Sequence, residues 1–565
     1  MKSNLWNARH LLASLRATTA LTMLTMVAPT YAVHDLDLFE LDRNAQEEAA
    51  VPGSDWDAVL LGAGGGSFQN TGVISDGAPD KIFTGGGSKD DQDIPNWKFA
   101  TRTGPPDKDD ITNAYAAAYK KTIGGQPHLI IYFGLDRFDT SGSAQVGFWF
   151  FKNPIGLQSG TKGNFTGQHA VGDILVQSNF TNGGAISSVS VFLWVGGANP
   201  LQLLTSGADC VGGVGAGDLA CATVNQQNTP APWSYTDKDG DSGTFKISAF
   251  FEGGVDITAL LASVGQTPGC FSTFLAETRS STPFNAVLKD FAGPHAFNTC
   301  SVLATKTCTG ARLKDPSATP LVIVNDIGGK ITNNGFGTLT NVKAKDDNGT
   351  SDTGDDFFLT LYQDAAGTNP YPVDPVTGVS LPAGADAFVK ATFETTANPA
   401  TNHFTVTADQ LTTAVTATAP CEKISLSPMI SVEKTCVTAL TVVNSQVVVK
   451  VNYSGKVTNT SDQTATPTPL FNVTAADDRP GDTQALTLYL DAAFTQPLGS
   501  PFRVNPGQTV YYKGSYFPNS APACPANASF TDTVTASGNG AFDTGTATNT
   551  GSDTCKLCPA GGCPQ

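Results

Sequence analysis

Charged side chains are scarce in this 565-residue chain: Asp, Glu, Lys and Arg together make up 15% of it. Long solvated helices draw on those residues, so their scarcity beside 58 Gly and 34 Pro points to strands and turns. Basic charge is scarcer still. The 33 Lys and Arg are set against 50 Asp and Glu, a net charge of −17, which excludes a nucleic-acid surface because phosphates need a basic face. Histidine occurs 6 times, and no GxSxG, HExxH or Ser/His/Asp arrangement is present, which removes the common hydrolase and zinc-protease readings. The glycine run Gly62–Gly66 is followed by no GK[ST] and no helical pattern, so it reads as a loop and not as a phosphate cradle. Beyond the N-terminus no apolar run approaches the roughly 18 residues of a membrane span, so no transmembrane anchor is expected. No cysteine occurs before Cys210.

The N-terminus reads as a secretory signal peptide over residues 1–32. Lys2, Arg9 and Arg16 precede the apolar stretch Ala17 to Pro29, and Thr30-Tyr31-Ala32 fits a small-x-small cleavage site. No Arg-Arg pair and no LPxTG-like sorting signal are seen, so the expectation is a chain released, or held at the surface non-covalently. In an exported chain the 11 cysteines read as disulfides. Spacing pairs Cys210 with Cys221 and Cys270 with Cys300. Cys308, Cys421, Cys436 and Cys555 stand as further bridge candidates, with Cys524, Cys558 and Cys563 also in the C-terminal half. Connectivity there stays open, and the odd count leaves one thiol over. Cys555-Lys-Leu-Cys558 has no second CxxC and no nearby histidine, against the four converging ligands a zinc site requires.

Residues 33–303 carry short strand patterns punctuated by turns. Leu129 to Asn153, the most aromatic stretch, reads as a central hairpin turning at Asp139–Ser143, with apolar residues on both faces. Leu36, Leu38 and Leu41 suggest an edge strand. Lys108 to Tyr119 reads as a helix capped by Asp109 or Asp110, because Ile111, Ala114, Tyr115, Ala118 and Tyr119 share one helical face. Shorter helices are expected at Asp256–Leu261 and from Pro283 to Phe291. The whole predicts a large antiparallel β-sandwich with a few short helices.

The second half repeats itself. Lys306-Thr-Cys308 matches Lys434-Thr-Cys436, Gly329-Lys-Ile-Thr-Asn333 matches Gly455-Lys-Val-Thr-Asn459, and Leu361-Tyr-Gln-Asp-Ala-Ala366 matches Leu488-Tyr-Leu-Asp-Ala-Ala493, at offsets of 128, 126 and 127. Phe404 matches Phe530. Ordered matches at near-constant spacing mark a true repeat. Each unit, 304–421 and 434–555, has the size of an immunoglobulin-like sandwich. The short linker between them predicts stacking, and residues 556–565 form a Cys/Pro/Gly tail. The expected class is all-β: an N-terminal sandwich, then two tandem immunoglobulin-like sandwiches.

The segment SGKVTNTSDQTATPTPLFNVTAADD, after its Lys-Thr-Cys start, resembles the conserved-repeat immunoglobulin-like domains of bacterial surface and cell-wall proteins. PGSDWD, DKIFTGGGSKDDQDIPNW, PDKDDITNAYAA, GLDRFDTSGSAQVGFWFFKN and CFSTFLAETRSS resemble the leading domain of secreted bacterial proteins that carry such repeats. The resemblance implies an exported, multidomain, non-enzymatic surface or matrix protein.

Three acidic groups suggest Ca²⁺ as the one candidate cofactor. Asp237, Asp239 and Asp241 alternate around a glycine turn, as at the start of an EF-hand loop. Asp346, Asp347 and Asp352 form a second set, and Asp90, Asp91 and Asp93 a weaker third. For ligand binding, Trp97 in a polar loop reads as an exposed ring able to stack on a sugar, with Asp136 and Asp139 as candidates to fix hydroxyls. Glu252, Asp256 and Glu277 are the carboxylates a glycoside hydrolase would need. The function expected is adhesion or ligand binding by the N-terminal domain, with a cell-surface or matrix partner such as a polysaccharide. A purely structural component is the alternative, and a carbohydrate-active enzyme a weaker one.

Overall fold

The computed structural model describes residues 33–49, 51–62, 64–77, 79–181, 185–207, 209–210, 218–372, 377–479, 483–499, 502–518 and 529–556. Residues 1–32, expected to be a signal peptide, and Cys524, Cys558, Cys563 and most of the tail lie outside these residues. The protein is all-β with short helical turns, and every named strand pairing is antiparallel. It divides into two compact units, Met1–Phe297 and Asn298–Gln565.

The first unit is built on two sheets. One runs in the order Gln69–Asn70, Ile111–Ile123, Gln126–Arg137, Phe250–Asp256, Ala220–Val224, with Ile74–Ser75 also paired to Ile111–Ile123. The other has ten strands, with Ile174–Thr181, Gln145–Phe151, Thr273–Arg279 and Leu288–Ala296 at its centre and Asp80–Phe83, Lys98–Arg102 and Lys162–Thr166 beyond. Phenylalanines fill the space between the sheets: the Phe133 and Phe148 rings lie 4.8 Å apart and those of Phe148 and Phe251 5.4 Å. Each sheet is also covered on its outer face. Phe39, Trp56, Trp233 and Phe245 pack over Tyr115, Tyr119 and Tyr132 on one side. Phe83, Trp97, Phe99 and Phe165 pack over Trp149, Phe151 and Leu275 on the other. A strand buried on both faces has no polar side to show, hence the near-continuous apolar reading of 129–135 and 146–151.

Leu129 to Asn153 is therefore not a hairpin. Gln126–Arg137 and Gln145–Phe151 are consecutive but belong to different sheets, and the segment between them crosses from one layer to the other. The hairpin partner of Gln126–Arg137 is Ile111–Ile123, the stretch that reads as a helix. The two-residue turn between them is Gly124-Gly125, with φ of 59° and 81°, the left-handed pair that a tight hairpin needs. Tyr115 and Tyr119 share a face in a helix and equally in a strand, because a spacing of four satisfies both periods. Burial decides for the strand: Ala114, Ala116, Ala117 and Ala118 are all enclosed, which requires cover on both faces. Leu36, Phe39 and Leu41 are buried in an irregular segment with a single bridge, Phe39 to Ser54, and not in an edge strand. The expected helix near Phe291 is instead the strand Leu288–Ala296, whereas Ile257–Ser263 is a helix as expected, capped by Asp256 Oδ1 accepting from the Ala259 amide at 2.9 Å.

The second unit contains two sandwiches of the same strand plan. In the first, Val302–Leu313, Ile323–Asn333, Asp386–Thr395 and Leu361–Tyr362 form one sheet; Phe357–Phe358, Leu339–Asp346, Thr401–Thr407 and Val415–Pro420 form the other, with Val379–Leu381 beside Leu339–Asp346. In the second, Ile430–Val443, Gln446–Asn459, Thr509–Tyr516 and Leu488–Tyr489 take the first set of places. Gln484–Ala485, Leu470–Asp477, Ser529–Gly540, Thr546–Lys556 and Arg503–Val504 take the rest.

Each repeated motif has a structural cause. The cysteines close each sandwich, as Cys308–Cys421 and Cys436–Cys555. The lysine two places earlier is fully buried on carboxylates: Lys306 Nζ lies 2.6 Å from Asp346 Oδ2, and Lys434 Nζ lies 2.6 Å from both Asp477 Oδ1 and Asp532 Oδ2. Asn333 Nδ2 donates to the Gly337 and Leu381 carbonyls, and Asn459 Nδ2 to those of Thr468 and Val504. Asp364 and Asp491 accept amides four and five residues on, which fixes matching loops. One expected match shifts. Phe404 pairs with Asp346, whereas the partner of Asp477 is Val534, so Val534 and not Phe530 takes the place of Phe404.

The hairpin tips of the two sandwiches differ. In the first, Leu313, Leu321 and Ile323 pack against Ile424, Leu426, Phe471, Ala541 and Phe542. In the second, strand pairing puts Leu440 opposite Val449 and Val442 opposite Val447, running on to a turn at Asn444-Ser445. Thr509–Tyr516 flanks only residues 451–458 of this hairpin. Past that point, over residues 439–450, it is a two-stranded arm on which Leu440 is 72%, Val442 67% and Val447 68% exposed.

Candidate functional site

Cys210 and Cys221 are bridged, and Cys270 and Cys300 are likewise disulfide-bonded. Most of the carboxylates suggested for Ca²⁺ meet cations that the chain itself supplies. Asp237, Asp239 and Asp241 do converge, with Asp237 Oδ1 accepting the amides of Asp239 and Asp241 at 2.9 Å each. The point of convergence is Lys246 Nζ, 2.6, 2.7 and 3.0 Å from the three carboxylates. An ammonium thus holds the place proposed for Ca²⁺. Asp346, Asp347 and Asp352 go to three different partners: Lys306, His403 Nδ1 at 2.6 Å, and the Gly354 amide at 2.9 Å. Asp90, expected in an open loop, is fully buried against Arg279 Nη1 at 2.9 Å and accepts from Trp149 Nε1 at 2.9 Å.

Trp97 is not the exposed ring that the sequence suggests. Trp97 is 0% exposed; its Nε1 donates to the Lys89 carbonyl at 2.8 Å, and its ring packs edge-on against Phe165. A tryptophan flanked by polar residues looks exposed in sequence, but here the loop folds its one large apolar group inward. Trp56, Trp149, Trp194 and Trp233 are buried too. Asp136 is enclosed, accepting from Asn113 Nδ2 and Trp233 Nε1 at 2.9 Å each, and burial raises its pKa to about 7. Asp139 pairs with Lys238 and with its own turn at Ser141. The glycosidase candidates do not face one another. Glu252 lies on one sheet beneath Trp56, Glu277 lies on the other beside Arg279, and Asp256 caps a helix while accepting from His128.

Three groups of carboxylates that the sequence does not single out come together in space. Glu40, Asp42 and Glu48 cluster, and burial raises Glu40 and Asp42 to about 7. Asn44 Nδ2 fills their centre, donating to both Asp42 oxygens and to Glu48 Oε1 at 2.9 to 3.0 Å. Asp477, Asp478 and Asp532 cluster, and the two buried members, Asp477 and Asp532, pair with Lys434. The third group, Asp76, Asp80 and Asp290, lies where the two sheets of the first unit meet.

Asp76 follows Ile74–Ser75, an outer strand of one sheet, and its amide donates to the Thr112 carbonyl at 3.0 Å. Asp80 opens a strand of the other sheet, and Asp290 pairs with Ile82 on that same sheet. Asp290 Oδ2 accepts the Ile111 amide at 2.7 Å, crossing from one sheet to the other. The remaining oxygens are unanswered: Asp76 Oδ2, both oxygens of Asp80 and Asp290 Oδ1 are buried without a hydrogen-bond partner. One oxygen from each of the three residues lies within 4.8 Å of the others. Asp110 adds a fourth negative charge beside Gly104, across from Asp80. Burial and mutual repulsion raise Asp76 to about 9 and Asp110 to about 7, and push Asp290 well up. Among the described residues no Lys, Arg or His makes an ion pair with any of the four. A cavity of about 310 Å³, lined by Ser75, Asp76, Pro79, Lys81 and His295 among others, opens beside Asp76. Such a set of hard oxygen donors can hold a divalent cation or share protons. Sequence could not reveal it, because Asp290 lies far along the chain from Asp76 and Asp80.

No helix among the described residues is long and apolar enough to cross a membrane. Comparison of the chain with protein-family models and with curated proteins finds no match.

Proposed function

We propose that this chain is an exported bacterial surface or matrix protein whose role is structural, and that its second immunoglobulin-like sandwich joins it to a second copy of itself. The observation that carries the reading is the bare apolar arm at residues 439–450. In the preceding sandwich the same hairpin tip is covered: Leu313, Leu321 and Ile323 are packed on apolar neighbours. Their counterparts Leu440, Val447 and Val449 lie on an arm with no third strand. Isolated two-stranded hairpins are marginal in water, and an open edge beside exposed aliphatic residues is a template for strand addition. The partner that offers a matching edge and a matching apolar face is the same arm on another copy, related by a two-fold axis. Disulfides within each sandwich and the secretory N-terminal pattern fit an oxidising, extracellular setting. A sugar-stacking role for the first unit loses its support with the burial of Trp97.

Sedimentation velocity of the mature protein over a concentration series tests this. A monomer–dimer equilibrium is expected, abolished in the double variant Leu440→Asp/Val447→Asp, while its circular dichroism stays unchanged. A wild-type protein that remains monomeric at about 100 μM overturns the reading, since useful homotypic contacts lie well below that range.

A further inference from the structure

We propose that Asp76, Asp80 and Asp290, backed by Asp110, hold one calcium ion that ties the two sheets of the first unit together. The inference is independent of the self-association reading above, because it concerns the other unit of the chain.

The argument is one of contrast within a single molecule. At most other places where carboxylates are buried together, the chain provides a compensating group: Arg279 for Asp90 and Glu277, Lys306 for Asp346, Lys434 for Asp477 and Asp532, the Asn44 amide for Asp42 and Glu48, and the Arg43 and Trp56 N–H groups for Glu252 beside Asp55. Lys246 does the same for the solvated turn at Asp237. At Asp76, Asp80 and Asp290 nothing does, and four carboxylate oxygens remain buried without partners. Asp290 itself is completely enclosed, with one oxygen fixed by the Ile111 amide and the other left for the cluster. Buried anionic oxygens are tolerated only when paired or ligated.

The donor set selects the ion. Oxygen-only ligation excludes the softer transition metals, which favour imidazole and thiolate. The residues come from strand ends on two sheets, so they cannot be tuned to the strict octahedron Mg²⁺ demands. Ca²⁺ accepts six to eight oxygens in irregular geometry, carboxylates in mono- or bidentate fashion, and water for the rest. The cavity beside Asp76 gives water and ion a way in. Bidentate Asp80 with monodentate Asp76 and Asp290 supplies four ligands, and water completes the shell.

The test uses the mature full-length protein stripped with EDTA, with Ca²⁺ binding read by equilibrium dialysis and thermal unfolding of the first unit followed by tryptophan fluorescence. All the tryptophans beyond the signal-peptide segment lie between Trp56 and Trp233, so this signal reports on that unit alone. The expected result is a melting temperature raised by about 5 °C or more at 1 mM Ca²⁺, with little response to equal Mg²⁺. Asp80→Asn should lose one bound Ca²⁺ and the thermal response. In EDTA it should melt at or above the wild type, since it removes repulsion; a purely structural aspartate would show the opposite. Asp110→Asn, at a carboxylate outside the three whose oxygens converge, should weaken binding without abolishing it. Asp241→Asn, in the turn already held by Lys246, should leave both readouts unchanged. Absence of bound Ca²⁺ at 1 mM, or full retention of Ca²⁺ and of the thermal response in Asp80→Asn, overturns the proposal.

Discussion

The two immunoglobulin-like sandwiches share a strand plan and differ in how much negative charge they bury. In the first, Lys306 meets one carboxylate, Asp346, whose second oxygen accepts from Asn402 Nδ2 at 2.8 Å. In the second, strand register puts Asp532 where Asn402 stands, and Lys434 meets two carboxylates at once. The Lys306 ammonium lies 4.9 Å from the Phe404 ring, and that of Lys434 lies 4.4 Å from the Tyr453 ring. One sandwich thus encloses a neutral pair with a polar donor, the other a triad with net charge −1. The fold is indifferent to that choice, because the lysine is pinned by its strand next to the disulfide in both. The local energetics are not, because an extra buried carboxylate has to be stabilised by the same single ammonium.

The largest effects should come from what the sandwiches share. The bridges Cys308–Cys421 and Cys436–Cys555 close loops of 113 and 119 residues in sequence separation. Loop-closure entropy assigns each about 4–5 kcal/mol. Replacing either pair by serine should therefore destabilise its own sandwich by similar amounts, read as loss of hydrogen-exchange protection confined to that sandwich. Unequal losses would mean that the two disulfides are not equivalent.

The next effect should separate them. Lys434→Met leaves two carboxylates buried without a counter-ion and should cost roughly 3–5 kcal/mol. Lys306→Met leaves one, which still accepts from Asn402, and should cost less. Hydrogen exchange over Gln446–Asn459 and over Ile323–Asn333 measures the two losses side by side. Equal values would break the comparison.

The smallest and most specific effect is a pH dependence. Burial, ahead of the opposing pull of Lys434, raises Asp532 from 3.8 to about 6. In the unfolded chain this carboxyl loses its proton near pH 4, whereas in the folded chain it keeps it to about pH 6. The stability linked to its protonated form is complete below about pH 4 and lost as pH climbs through about 6, on the order of 3 kcal/mol in all. Asp532→Asn, which gives the second sandwich the side chain of the first, should remove that slope and leave the second sandwich more stable than wild type at pH 7. A slope that survives the substitution would assign the titration to another group.

The repeat itself was legible in the sequence because each of its motifs is a local necessity: a cysteine to bridge, an asparagine to hold two carbonyls, an aspartate to fix a loop. What was not legible was direction. Ile111–Ile123 reads as a helix because Tyr115 and Tyr119 satisfy both periods, and only the cover supplied by Trp56 and Trp233, distant in sequence, makes it a strand. Gln126–Arg137 and Gln145–Phe151 look like a hairpin because they adjoin, but adjacency along the chain does not say whether a turn returns to the same sheet or crosses to the other. Trp97 looks exposed because its neighbours are polar, yet its loop is folded over an aromatic layer. Among the site residues, the convergence of Asp237, Asp239 and Asp241 was readable from their alternation, while the lysine at their centre was not.

Composition and periodicity by themselves determined the all-β class, the strand-rich first unit, the repeat, the helix at Ile257–Ser263 and the bridge between Cys210 and Cys221. These follow from short-range chemistry: backbone preference, alternation and the reach of a loop. Tertiary structure alone decided which carboxylates are neighbours and which have a cation between them. Asp290 joins Asp76 and Asp80 only because strand pairing sets Asp290 beside Ile82 and two sheet edges meet there. The energy of a buried charge depends on everything within a few ångströms of it, and those few ångströms are filled by residues that the sequence places far apart.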